Sequence, residues 1–230
     1  MTSQLPSPIS VPAPRTWDAR LARRLVTPLV DTWVTPNHLT TLRLLIGLAG
    51  ALCLAHGEFA WANAGALLIV LSNFVDHTDG ELARIGGKSS RIGHFYDLAC
   101  DAVVTVMLFV GMGVGAGAAQ IRGVKLEPGM LGAVAGVAVA LIFFLRMRIE
   151  EMAGKAGTKQ ASVGGFETED VLYLLPIVTL ANVVFPFVVV ASTGAPLYAV
   201  WVVFDCWRVM RRAARPAGNA AGASKTRQMG

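Results

Sequence analysis

Six stretches of the chain, about 38–56, 60–84, 93–117, 130–148, 171–191 and 195–211, are dominated by Leu, Ile, Val, Ala, Phe and Gly. Each is long enough for an α-helix to cross the hydrocarbon layer of a bilayer, which takes roughly 20 residues. Hydrocarbon offers no hydrogen-bond partner, so a crossing segment must satisfy its own backbone, and runs of this length do so only as helices. The expected fold is an all-α membrane protein with six transmembrane helices. Mean hydropathy of +0.55 and a charged fraction of 15% exclude an ordinary soluble domain.

The ends of the chain are different. Residues 1–15 are rich in Pro and Ser and read as a disordered tail, without the basic start and apolar core of a signal peptide. Over 16–34, Trp17, Leu21, Leu25, Leu29 and Trp33 recur every four residues, with Arg20, Arg23 and Arg24 mostly opposite. That pattern predicts an amphipathic helix lying in the membrane interface, bent at Pro28. Thr35-Pro36-Asn37 then caps and starts the first span. Residues 35–212 form the expected membrane domain, and 213–230 a basic, disordered tail.

The net charge of +5 is not the footprint of a nucleic-acid partner. Six spans place 18 of the 20 Lys and Arg on one side, with only Arg122 and Lys125 opposite. By the positive-inside rule both termini lie in the cytoplasm, with anionic membrane lipids as neighbours. Cys53, Cys100 and Cys206 are scattered through apolar sequence and make neither a disulfide framework nor a zinc site. Gly111–Gly117 and Gly132-x3-Gly136 carry small residues at the spacing of close helix contacts, within or between subunits.

The charges that need explaining lie where the second and third spans meet their common loop. Asp76 and Asp79 share one helix face, and Asp97 and Asp101 share another. Carboxylates at a membrane edge are costly unless compensated, and the natural partner for several carboxylate oxygens is a hard divalent cation, Mg²⁺ or Mn²⁺. The two pairs lie at the same depth on antiparallel neighbours and can converge on one metal site.

Asp76-x2-Asp79-Gly80-x2-Ala83-Arg84-x8-Gly93-x3-Asp97-x3-Asp101 resembles the full signature of the CDP-alcohol phosphotransferase family. The Pro36-Asn37-x-Leu39-Thr40-x2-Arg43 run is similar to the family's lead-in to its first span. The resemblance implies transfer from a CDP-linked lipid such as CDP-diacylglycerol to a small alcohol acceptor, with release of CMP. It implies about two Mg²⁺ or Mn²⁺ ions on Asp76, Asp79, Asp97 and Asp101, with Asp101 as general base. It places Asn37, Thr40, Gly80, Ala83, Arg84 and Gly93 around the CDP donor, with Arg43 also bordering the site. It favours a homodimer in the inner membrane.

Lys88, Arg91, Arg146 and Arg148 are candidate ligands for a phosphorylated polyol acceptor, such as glycerol 3-phosphate or an inositol phosphate. Glu81 has two open readings: contact with the cytidine or Arg84, or exposure to solvent. His38, His56, His77 and His94 are isolated, and Asp205 is expected to pair with a neighbour such as Arg208. A CDP-amino-alcohol phosphotransferase acting on a lipid alcohol is the alternative. A membrane prenyltransferase would carry a second aspartate-rich motif in its later helices, and a cation transporter would place its acids at the midplane.

Overall fold

In the computed structural model, residues 17–117, 119–121, 124–153 and 172–213 are described. The predicted tails, 1–15 and most of 213–230, and most of the polar loop expected after residue 148 lie outside them. The order is α1 (Trp17–Val26), α2 (Pro36–His56), α3 (Phe59–Ile85), α4 (Arg91–Gly115), β1 (Ala119–Ile121), β2 (Val124–Leu126), α5 (Pro128–Ala153), α6 (Leu175–Leu180) and α7 (Val184–Ala213). Five of these, α2, α3, α4, α5 and α7, are long and apolar enough to cross a membrane. The polar loop expected over 120–129 contains an antiparallel hairpin in which Gln120 pairs with Lys125.

The predicted fifth and sixth spans divide elsewhere than expected. A 3₁₀ turn at 172–174 leads into the six-residue α6, which ends at a turn where Asn182 adopts φ 55°. From Val184 the chain is helical without a break to Ala213, so 192–194 is not a boundary and Pro196 lies inside α7. Membrane helices tolerate an internal Pro because neighbouring groups satisfy the freed backbone. The carbonyl that Pro196 deprives of its N–H is that of Ser192, while the Ser192 and Thr193 hydroxyls donate to carbonyls further back, at Val189 and Val190. The count of six spans therefore becomes five long helices and one short one among the described residues.

The amphipathic segment is also shorter than predicted, because Pro28 ends α1 in a 3₁₀ turn at Thr27–Leu29 instead of bending a longer helix. Ala22 and Val26 pack inward, whereas Leu21, Leu25 and Trp33 of the apolar stripe are exposed.

Helix α2 is the axis of the bundle. It packs along both α3 and α4, which scarcely touch each other. The close approach rests on glycines: a Cβ at Gly65 would fall 2.7 Å from the Gly50 carbonyl oxygen. Gly111, Gly115 and Gly132 likewise meet backbone of Ala51, Leu54 and Phe109, so the small-residue motifs seat helices within one chain. Gly57, with φ 81°, closes the two-residue link between α2 and α3 in the left-handed conformation that suits glycine.

One core joins Leu54, Ile69, Leu108, Met112 and Ala135 to Val188 near the start of α7. A second joins Ala138, Ile142 and Ile149 to Ala199, Val202 and Cys206 further along it. Helices α5 and α7 therefore run parallel, and both finish at the end of the bundle where α2 begins.

Candidate active site

The predicted carboxylates converge, but not across a direct α3–α4 contact. Helix α2 lies between those two helices and supplies Arg43, only 3% exposed, to the space among them. Its Nη1 donates to Asp101 Oδ1 at 2.5 Å and lies 2.7 Å from Asp76 Oδ1. Its Nη2 donates to Asp97 Oδ1 at 2.8 Å and to the Asp97 carbonyl oxygen at 2.9 Å. Its Nε, 3.8 Å from Asp79 Oδ2, is buried without a hydrogen-bond partner. Asp79 Oδ2 instead accepts from Thr40 Oγ1 at 2.7 Å, and Ser72 Oγ donates to the Arg43 carbonyl oxygen at 2.8 Å. The helix that carries the arginine is thus tied to the one that carries the first Asp pair.

One guanidinium against four carboxylates leaves the cluster short of positive charge. Asp76, Asp97 and Asp101 each offer an oxygen, and these oxygens lie within 4.8 Å of one another. An all-oxygen donor set at that spacing fits Mg²⁺ or Mn²⁺. Asp79, bound to Thr40, stands at the edge of that group.

Two cavities flank the cluster. The first, of about 170 Å³, is lined by Pro36, Asn37, Thr40, Asp79, Gly80 and Ala83 on one side. Lys88, Ser89, Ser90, Gly93, His94 and Asp97 close the other. Five of the six residues expected around the donor meet here. A Cβ on Gly80 would project into open space, whereas one on Gly93 would come within 2.9 Å of Asn37 Oδ1 and Ser90 Oγ. Gly80 thus keeps the cavity open, and Gly93 lets Asn37 and the Ser90 cap of α4 close up. The sixth residue, Arg84, is turned away to Glu81.

The second cavity, of about 340 Å³, lies between α4 and α5 and is walled by Leu98, Thr105, Leu141, Phe143, Phe144 and Met147, among others. Asp101 opens onto it and is the most exposed of the four carboxylates, with 45% of its side chain accessible.

The four cations expected at the acceptor do not form a pocket together. Arg146 donates to the Tyr198 hydroxyl and lies against the Tyr198 and Trp201 rings. Arg148 pairs with Glu151 at 2.9 Å, and Glu151 approaches His94 of the first cavity at 3.8 Å. Arg91 is exposed at the start of α4, and of the four Lys88 lines the first cavity.

Glu81 takes the expected contact with Arg84 and not the exposure to solvent. It is 1% exposed, accepting from Arg23 Nε of α1 at 2.7 Å and from Arg84 Nη1 at 2.7 Å. A buried carboxylate needs such pairing to remain charged. Residues 23 and 81 belong to separate helices, so no local periodicity announces the contact. The central place of Arg43 has only its motif position as a sequence signal.

A carboxylate cluster between membrane-length helices, beside a polar cavity, suits an enzyme that handles polyanionic groups at a bilayer surface. The CDP-alcohol phosphatidyltransferase family model matches residues 33–209, and the chain belongs to that family. It is 29% identical over 143 residues to the bifunctional IPC transferase and DIPP synthase of Rubrobacter xylanophilus, covering 62% of this chain and 30% of that protein. It is 38% identical over 93 residues to the phosphatidylinositol phosphate synthase of Streptomyces avermitilis, covering 38% of this chain and 37% of that protein. The matches thus span about a third of those relatives' lengths. The crystal structure of Mycobacterium tuberculosis phosphatidylinositol phosphate synthase with CDP-DAG bound shares the fold. Its TM-score is 0.55 at 24% identity, over 86% of this chain and 96% of that one.

Proposed function

We propose that this protein transfers a phosphatidyl group from CDP-diacylglycerol to an alcohol and releases CMP. The observation that carries the reading is the placement of the Asp cluster between two cavities, with Asp79 and Asp97 facing one and Asp101 the other. The CDP diphosphate fits the first cavity, where Gly80 and Ala83 leave room beside two helix backbones. Two divalent ions held by Asp76, Asp79, Asp97 and Asp101 would neutralise the diphosphate and the departing CMP.

The acceptor hydroxyl approaches Asp101, the most exposed of the four carboxylates. Asp101 takes its proton as the new oxygen–phosphorus bond forms and the bond to CMP breaks, CMP leaving with the bonding pair. Phosphoryl transfer of this kind rests on alignment and charge neutralisation more than on covalent help. Arg43 holds the carboxylates in register while the substrates bind.

The relatives named above favour a phosphorylated polyol as acceptor, with Arg91 and Arg148 as candidates for its phosphate. The apolar walls of the second cavity favour a second reading, in which the acceptor is a lipid alcohol and the donor a small CDP-alcohol. The proposal places the cluster at the cytoplasmic face of the inner membrane, with both termini on that side, α1 in the interface and a homodimer as the working unit. Support comes from the parallel run of α5 and α7, the basic residues around the cluster, and the exposed Leu21, Leu25 and Trp33.

The test is product identification by mass spectrometry. Purified protein in detergent receives CDP-diacylglycerol, Mn²⁺ and either glycerol 3-phosphate or an inositol phosphate. A parallel arm supplies diacylglycerol with CDP-choline. A new phosphatidyl ester in the first arm is expected. Product in the diacylglycerol arm alone establishes the second reading, and none in either, from folded protein, refutes both.

A further inference from the structure

The chain between α1 and α2 lies against the loop that follows the first Asp pair. Gly87, at φ 60°, turns that loop, and Lys88 reaches back from it. Lys88 Nζ donates to the carbonyl oxygens of Val30 at 2.9 Å, Thr32 at 3.2 Å and Val34 at 3.2 Å. An ammonium has three N–H donors and no acceptor, so these three carbonyls use its full capacity. What looks in sequence like a cation free to bind an anionic substrate is committed to main chain.

The fastened segment runs straight into the first cavity. Thr35 caps α2, its backbone N–H donating to His38 Nδ1 at 3.2 Å, and the Trp33 ring stands edge-on to His38 at 5.4 Å. Pro36, Asn37 and Thr40, in the next turns, line the cavity, and Thr40 holds Asp79. The other end of the segment is fastened by the Arg23–Glu81 pair. Both fastenings come from the stretch just after Asp79, so the cavity wall built from α2 is registered against the one built from α3.

We infer that Lys88 is a positioning residue for the CDP donor: it straps residues 30–34 in place so that Pro36, Asn37 and Thr40 keep their stations in the cavity. It is not a ligand of the acceptor phosphate. The inference rests on the proposed reading of the first cavity as the donor site.

The test uses the full-length protein in detergent, with CDP and Mn²⁺ as the probe. Calorimetry gives CDP affinity, and hydrogen exchange followed by mass spectrometry reports on the peptide covering residues 27–40. Small misplacements of binding groups have large effects, so Lys88→Met is expected to weaken CDP binding by roughly tenfold or more. It is also expected to speed exchange in 27–40, while Lys88→Arg restores both most of the way. If Lys88→Met does not yield folded protein, Lys88→Gln, with two donors in place of three, carries the same comparison. Unchanged CDP affinity in the Met or Gln variant overturns the inference. So does weakened binding with unchanged exchange in 27–40, which would mark direct contact with the ligand. Absence of CDP binding by the wild-type protein overturns the donor-site reading itself, a result separate from either.

Discussion

Replacing Arg43 by Gln probes the centre of the site. The change removes the guanidinium that, among the described residues, pairs with Asp76, Asp79, Asp97 and Asp101, and leaves the carboxylates on α3 and α4 to repel one another. Removing one partner of a buried ion pair costs about 3–5 kcal/mol. Asp97 and Asp101 are a third to nearly half exposed and are screened by water, so the lower end, about 3 kcal/mol, applies. For a chain of this size each kcal/mol moves the melting temperature by about 2–4 °C, giving a fall of roughly 6–12 °C. The assay is thermal unfolding of the purified protein in detergent containing EDTA. Saturating Mn²⁺ should narrow the gap between variant and wild type, because bound divalent ions supply the missing positive charge. A variant that melts with the wild type in EDTA would refute the reasoning, since the guanidinium would then hold nothing together.

Other substitutions separate chemistry from packing. Asp101→Asn is expected to lower turnover by about 10²- to 10⁴-fold, with the melting temperature within a few degrees of wild type, measured by CMP release and thermal unfolding in parallel. Gly80→Val should block CDP binding in calorimetry without loss of stability, because its side chain enters open cavity. Gly65→Val should do the reverse, losing about 1–3 kcal/mol or more of stability, because its Cβ meets the Gly50 carbonyl across the α2–α3 contact. Glu81→Ala removes the acceptor of the Arg23 and Arg84 bonds and should speed hydrogen exchange across α1 while leaving α4 and α5 unchanged.

The parts of this architecture that were legible in the sequence are those written in local periodicity. Apolar runs of membrane length gave α2 to α5, and spacings of three and four put Asp76 with Asp79 and Asp97 with Asp101. Local signals misled around α7. The gap expected at 192–194 is absent, since α7 runs unbroken from Val184 through Pro196, and the break falls at Asn182. What sequence alone did not show are the pairings between distant residues. Arg23 with Glu81, and Lys88 with Val30, join residues 58 apart, and no helical or strand period connects them. The packing of α2 between α3 and α4 is of the same kind. It follows from Gly50 meeting Gly65 and Ala51 meeting Gly111, and small residues announce a close contact without naming the partner.

Release of CMP from CDP-diacylglycerol by the purified protein tests the central claim most directly. It is to be measured with acceptor present, first in EDTA and then after Mn²⁺ is restored, for wild type and for Asp97→Asn. The expected result is release that stops in EDTA, returns with Mn²⁺, and is lost in Asp97→Asn although that variant remains folded. Release that persists in EDTA, or proceeds in Asp97→Asn at the wild-type rate, would contradict the assignment of the four carboxylates to a metal-dependent phosphotransfer site.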